Sequence, residues 1–98
     1  MLNTIIQKLY KKTFIQAEQD KNNFERFIKI KRNLSLFDLY FKEKSLDENT
    51  LREFISTTLN DCKFVEENKK SILRFDRRKE TKEAVEACIN ISQMLTDM

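Results

Sequence analysis

The sequence predicts an all-α fold, a small compact bundle of five to six short helices, and three observations carry that expectation. The first is that the 98 residues contain neither glycine nor proline, where usual frequencies of roughly 7% and 5% would place about twelve of the two together. Without glycine the chain has no inexpensive residue for positive φ, so primed hairpin turns lose their chemistry and multi-strand sheets become hard to connect. The second is that apolar residues recur at intervals of three and four over most of the chain, the spacing of a helix that buries one face. The third is that Ser, Asn and Asp stand just ahead of several of these stripes, where they cap helices. A length of 98 residues leaves room for one unit, so residues 1–98 are expected to form a single helical domain.

The first helix is expected over about Asn3 to Gln19, because Leu2, Ile5, Ile6, Leu9, Thr13, Phe14 and Ala17 form one stripe. Lys8, Lys11 and Lys12 lie off it and no acid precedes Glu18. Such a basic amphipathic segment suits a membrane surface, but it lacks the Arg and Ser of a transit peptide and an aromatic-rich insertion face, so the expectation is the first helix of the core. Asn22 and Glu25 stand in capping-box spacing and announce a second helix. Phe24, Phe27, Ile28 and Leu34 share its inner face with Ile30 at the edge, while Arg26, Lys29 and Arg32 recur every three residues on the outer one.

Residues Asn33 to Lys44 are apolar nearly all round. A helix capped by Ser35 is preferred to a strand, since the chain offers few turns to supply neighbouring strands. Ser45 and Glu48 form another capping box, with Asp47 well placed at a helix N-terminus. Leu51, Phe54, Ile55, Thr58 and Leu59 would face inward from a helix ending near Asn60 and Asp61. A further helix is expected from about Val65 to Phe75. The closing one, Thr81 to Thr96, keeps Ala84, Ala87, Cys88, Ile91, Leu95 and Met98 in helical register.

Composition narrows function mainly by exclusion. Histidine is absent, which removes the commonest general base and the commonest zinc ligand. Ser-His and Cys-His nucleophile pairs cannot form. Asp47, Glu48, Asp61, Glu66 and Glu67 are oxygen donors of the kind Mg²⁺ and Ca²⁺ prefer, but they show no EF-hand spacing and the loop glycine is missing. No catalytic, cofactor-binding or metal-binding residues are assigned, and no enzymatic activity is expected. Cys62 and Cys88, 26 residues apart with no Cys-x-x-Cys pair, are expected as two reduced structural thiols. With no apolar run long enough to span a bilayer and no signal peptide legible, a cytoplasmic protein is the expectation.

The net charge of +3 is too modest to name nucleic acid as the partner, but it is banded. Residues 1–44 carry +5, 45–68 carry −4, 69–83 carry +4 and 84–98 carry −2. The densest cationic run is Lys69, Lys70, Arg74, Arg77, Arg78, Lys79 and Lys82. Arg provides bidentate contacts to phosphate or carboxylate, so this run, with Arg26, Lys29 and Arg32, either steers an acidic protein partner or grips a nucleic-acid backbone. Tyr40 and Phe41 are added as partner-contact residues within the apolar segment Leu34 to Phe41, which one small core need not bury entirely. The expected function is therefore a non-enzymatic protein-binding module of the inhibitor, immunity, adaptor or regulator type, from a microbe, phage or mobile element. The alternative is a nucleic-acid-backbone binder, and self-association into a homo-oligomer through a helix face is a third reading.

Overall fold

The computed structural model describes residues 2–43 and 47–97, with the side chains of residues 37–43 outside the description. Every element among them is helical: α1 Leu2–Glu43, α2 Glu48–Glu67, α3 Lys69–Phe75 and α4 Lys79–Thr96. The all-α expectation holds, and five to six helices become four because two expected breaks do not occur.

The first missing break lies near Asn22. Nothing from Leu2 to Glu43 blocks a helical backbone, so α1 runs on for 42 residues. At about 1.5 Å per residue it spans about 63 Å, which sets the 65 Å long axis of the molecule against 25 and 21 Å across it. The expected compact shape is thus replaced by an elongated one. Asn22 and Glu25 make no cap, and the neighbouring Asn23 side chain turns outward to donate to Ser71 Oγ at 3.0 Å and to Asn68 Oδ1 at 3.5 Å. The second missing break lies at Ser35, whose hydroxyl donates to the Lys31 carbonyl at 3.1 Å within α1 instead of capping a new helix; the boundary expected at Asn60 and Asp61 moves to Asn68, because Thr58, Cys62 and Val65 form one buried stripe at helical spacing.

Polar side chains make the joints that glycine would otherwise make. Asp47 has extended backbone, and its carboxylate accepts the Thr50 N–H at 2.7 Å, so α2 starts at Glu48 on an aspartate cap; Ser45 of the expected capping box lies outside the described residues. The helix expected from Val65 to Phe75 is divided at Asn68. That residue's N–H and side-chain Nδ2 both donate to the Phe64 carbonyl, at 3.0 and 2.9 Å, and this local competition ends α2 and starts α3. After α3, the Asp76 carboxylate accepts the backbone N–H of Arg78 at 3.0 Å, an Asx-type turn. No described residue adopts positive φ.

The core is small. Phe27 and Ile30 of α1, Cys62 and Val65 of α2, Ile72 of α3, and Val85 and Cys88 of α4 are buried together. Phe24, Ile28, Leu34, Phe64, Leu73, Ala84, Ile89 and Ile91 pack around them. Ile30, expected at an edge, is central. α4 begins at Lys79, two residues ahead of the expected start.

The N-terminal part of α1 takes no part in that core. Every described residue from Leu2 to Gln19 is exposed, and burial starts at Asp20. The expectation that Asn3 to Gln19 forms the first core helix is therefore corrected: the segment is helical and amphipathic, but it projects beyond the other helices as an arm.

Candidate functional site

The arm exposes Leu2 (72%), Leu9 (60%), Tyr10 (74%) and Phe14 (63%), with Ile5, Ile6 and Ile15 also more than half open to solvent. Helical periodicity makes Leu2, Ile6, Leu9 and Thr13 the continuation of the face that carries Asp20, Phe24 and Phe27 farther along α1. Past Asp20 that face is covered by the other helices; before it, nothing in the described chain covers it. Lys8, Lys11, Lys12 and Ile15 share the other side of the arm, and no carboxylate precedes Glu18.

The base of the arm is clamped by a polar cluster. Asp20 is buried and accepts from Ser71 Oγ at 2.6 Å, from Arg74 Nε at 2.9 Å and from Arg74 Nη2 at 3.1 Å. The Arg74 guanidinium, assisted by Ser71, holds the Asp20 carboxyl below the usual carboxylate range despite its burial. Asn23 joins the cluster through Ser71. These contacts fasten α3 antiparallel to α1, since Asn23 meets Asn68 while Asp20, lower in number, meets Arg74.

The cationic run from Lys69 to Lys82 is divided by its partners. Arg74 is committed to Asp20, Lys69 to Glu86 Oε1 at 2.7 Å and Arg78 to Asp76 at 2.7 Å. Lys79 lies 3.9 Å from Glu83. Lys70, Arg77 and Lys82 have no ion pair or side-chain hydrogen bond among the described residues. These three, with Lys69 and Arg74, surround one open depression floored by Leu73. Arg78 and Lys79 do not line it.

The other expected contact residues lie elsewhere. Arg26 places its guanidinium carbon 4.0 Å from the centroid of the Phe64 ring, a cation–π contact that ties α1 to α2. Lys29 and Arg32 are exposed on α1, and none of the three reaches the depression, so the two basic stripes stay separate. Tyr40 and Phe41 fall in α1, with their side chains outside the description. A second shallow groove, between α1 and α2, is lined by Asn33, Leu36, Thr50, Glu53, Phe54 and Thr57.

Cys62 and Cys88 stand as free, buried thiols against each other in the core. A hydrogen bond to Cys88, reinforced by burial, pushes the Cys62 thiol far above its ordinary range. The same hydrogen bond lowers the Cys88 thiol from its ordinary value, and both side chains pack within the buried core. Among the described residues no three His, Cys, Asp or Glu side chains gather to hold a metal ion, and no described helix is long and apolar enough to cross a membrane.

Sequence reasoning identified the cationic run but did not foresee that the apolar stripe of the arm stays exposed. An apolar stripe looks the same in sequence whether the rest of the chain covers it or not. The one signal was the absence of any acid among the first 17 residues. Compared with protein-family models, curated proteins and solved structures, the chain matches none.

Proposed function

We propose that the chain is a non-enzymatic protein-binding module of the inhibitor, adaptor or regulator kind, and that the arm is its contact surface. The observation that carries this reading is the row of large apolar side chains that the rest of the described chain leaves exposed. Patches of this sort on a soluble surface mark interaction sites. Because the row continues a face that α1 elsewhere packs against helices, the occupant that fits it is a helical surface of another protein, added as one more layer of the bundle. The lysines specify its charge: an acid-flanked partner is complementary, whereas a second arm laid alongside would bring like charges together. Ile15, among the lysines, extends apolar contact to a side that a flat bilayer would leave uncovered while it held Leu2, Ile6 and Leu9. A reducing compartment such as the cytoplasm suits the two buried thiols.

Leu9→Asp puts a charge in the middle of the row without touching the core. Co-precipitation from cells expressing the chain should recover a stable protein partner with wild type and lose it with L9D, and cross-linked partner peptides should be rich in Asp and Glu. Equal recovery by wild type and L9D would refute the reading. Recovery of lipid vesicles, or a concentration-dependent homodimer abolished by L9D, would reassign the arm to a membrane or to a second copy.

A further inference from the structure

We propose that the depression between α3 and the first turn of α4 is a sequence-independent site for the phosphate backbone of a nucleic acid. It is separate from the arm and does not depend on the reading given to it. Of its six lining residues, five are cations and one is the apolar Leu73. A protein-recognition patch is expected to have an aromatic or aliphatic centre with a polar rim. Here the aliphatic centre is one leucine and the stems of the cations themselves, with no aromatic anchor, and every polar group that lines it is a cation.

Two of the five cations are already neutralised, Lys69 by Glu86 and Arg74 by Asp20. Those pairs hold α3 against α4 and α1, so they give the depression fixed walls. Lys70, Arg77 and Lys82 are then left without a partner among the described residues, on a positioned scaffold. Lys82 stands in the first turn of α4, where its N–H bonds back to the Arg78 carbonyl at 3.2 Å. Arg78, the N-cap residue, provides no side-chain acceptor to that turn. The first turn carries Glu80, which opposes the positive end of the helix dipole, so the field of the depression is that of its side chains. The lining holds no Asn or Gln, the side chains that pair bidentately with adenine, and its arginines and lysines are the groups that contact phosphate oxygens. The proposed recognition is of the backbone, the sequence-independent part of nucleic-acid binding.

The count of free cations fixes the measurement. Binding to double-stranded DNA releases counterions with a slope of log affinity against log salt of about −0.9 per phosphate neutralised. Three free cations give a slope of about −2.7, or a roughly forty-fold loss of affinity between about 50 and 200 mM salt. Fluorescence anisotropy of the full chain with a labelled duplex of about 20 base pairs should show that slope for two unrelated sequences alike. Lys70→Gln, Arg77→Gln and Lys82→Gln together should bring the slope near zero, with helicity by circular dichroism unchanged because none of the three has a partner among the described residues. Should the triple variant lose helicity, single K70Q and R77Q variants decide, each lowering the slope by about 0.9. L9D should leave duplex affinity as it is. The proposal fails if the slope stays near zero in wild type, if the depression variants bind like wild type, or if K8Q, K11Q and K12Q abolish binding instead. It fails also if poly-glutamate displaces the duplex as well as unlabelled duplex of equal charge does, since the site would then be one for acidic protein.

Discussion

Asp20 is the residue on which the joint between the arm and the core depends. It is buried with two cationic or hydroxyl partners on α3, and it has no substitute nearby, since the other acid close in sequence, Glu18, lies on the exposed arm. Asp20→Ala would leave Ser71 and Arg74 without their acceptor. The exposed part of Arg74 can rehydrate, so the expected cost is about 1–3 kcal/mol, measured as a lowered urea midpoint with unchanged m-value. The pH dependence follows in sign from the same contacts. Asp20 is lowered first by its hydrogen bond from Arg74, Asp76 by that from Arg78, and Asp47 by that from the Thr50 backbone. Each folded carboxyl titrates below its unfolded value, so its contribution is present above about pH 4 and is lost as pH falls through the folded value. With no histidine in the chain, no side chain with an ordinary pKa titrates between about pH 5 and 8. Thermal unfolding should therefore show a plateau across that range and a decline on its acid side; a midpoint that moved by several degrees between pH 6 and 8 would contradict it.

At the scale of the element, the joints are made by asparagine and aspartate, and they should fail locally. Asp47→Ala removes the acceptor for Thr50 N–H, whereas Leu51 N–H still bonds the Asp47 carbonyl at 3.0 Å. Hydrogen exchange at the amides of Glu48 to Thr50 should quicken while amides around Cys62 and Val65 stay protected. Phe27 behaves in the opposite way. It is the one fully buried phenylalanine among the described side chains, and in so small a core Phe27→Ala should cost about 3–5 kcal/mol, enough to unfold much of the population at ambient temperature. Leu9→Asp, by contrast, changes a side chain exposed in both states, so its thermal midpoint should match that of wild type. The pair of substitutions separates the part of α1 that holds the fold from the part that the fold holds out.

For the whole molecule, length is the governing quantity. A compact chain of this size has a radius of gyration of about 13 Å, whereas this one has 17.6 Å. Small-angle scattering of the free protein should return the larger value, and a curve fitting the smaller one would mean that the arm folds back on the core. The arrangement also separates charge. The acidic α2 and the cationic depression lie on different elements, and the arm brings three lysines and an apolar row away from both. A molecule built in this way can present one surface to a protein and another to a polyanion without forcing the two to overlap.

Residue composition and periodicity by themselves determined that the chain is helical, which positions face inward along Phe24 to Leu34 and Leu51 to Leu59, and where cations concentrate; in α4 the expected stripe held Cys88 but included Ala87, which is exposed, and passed over Val85 and Ser92, which are buried. Those features depend on contacts three or four residues apart, which a linear sequence records directly. The joints were less legible, since Asn22 and Asn68 are the same residue type in similar surroundings and only one of them ends a helix. Asn68 can turn back to the Phe64 carbonyl because α3 then finds Asp20 and Asn23 to pack on. Asn22 is carried through because α1 gains nothing by breaking there. Only the tertiary structure decided that, among the described residues, Leu2 to Phe14 stay uncovered and Lys70, Arg77 and Lys82 stay unpaired, because coverage and pairing are properties of what arrives from elsewhere in the chain. A stripe specifies that a face would be buried if something met it; the number and length of the other helices decide whether anything does.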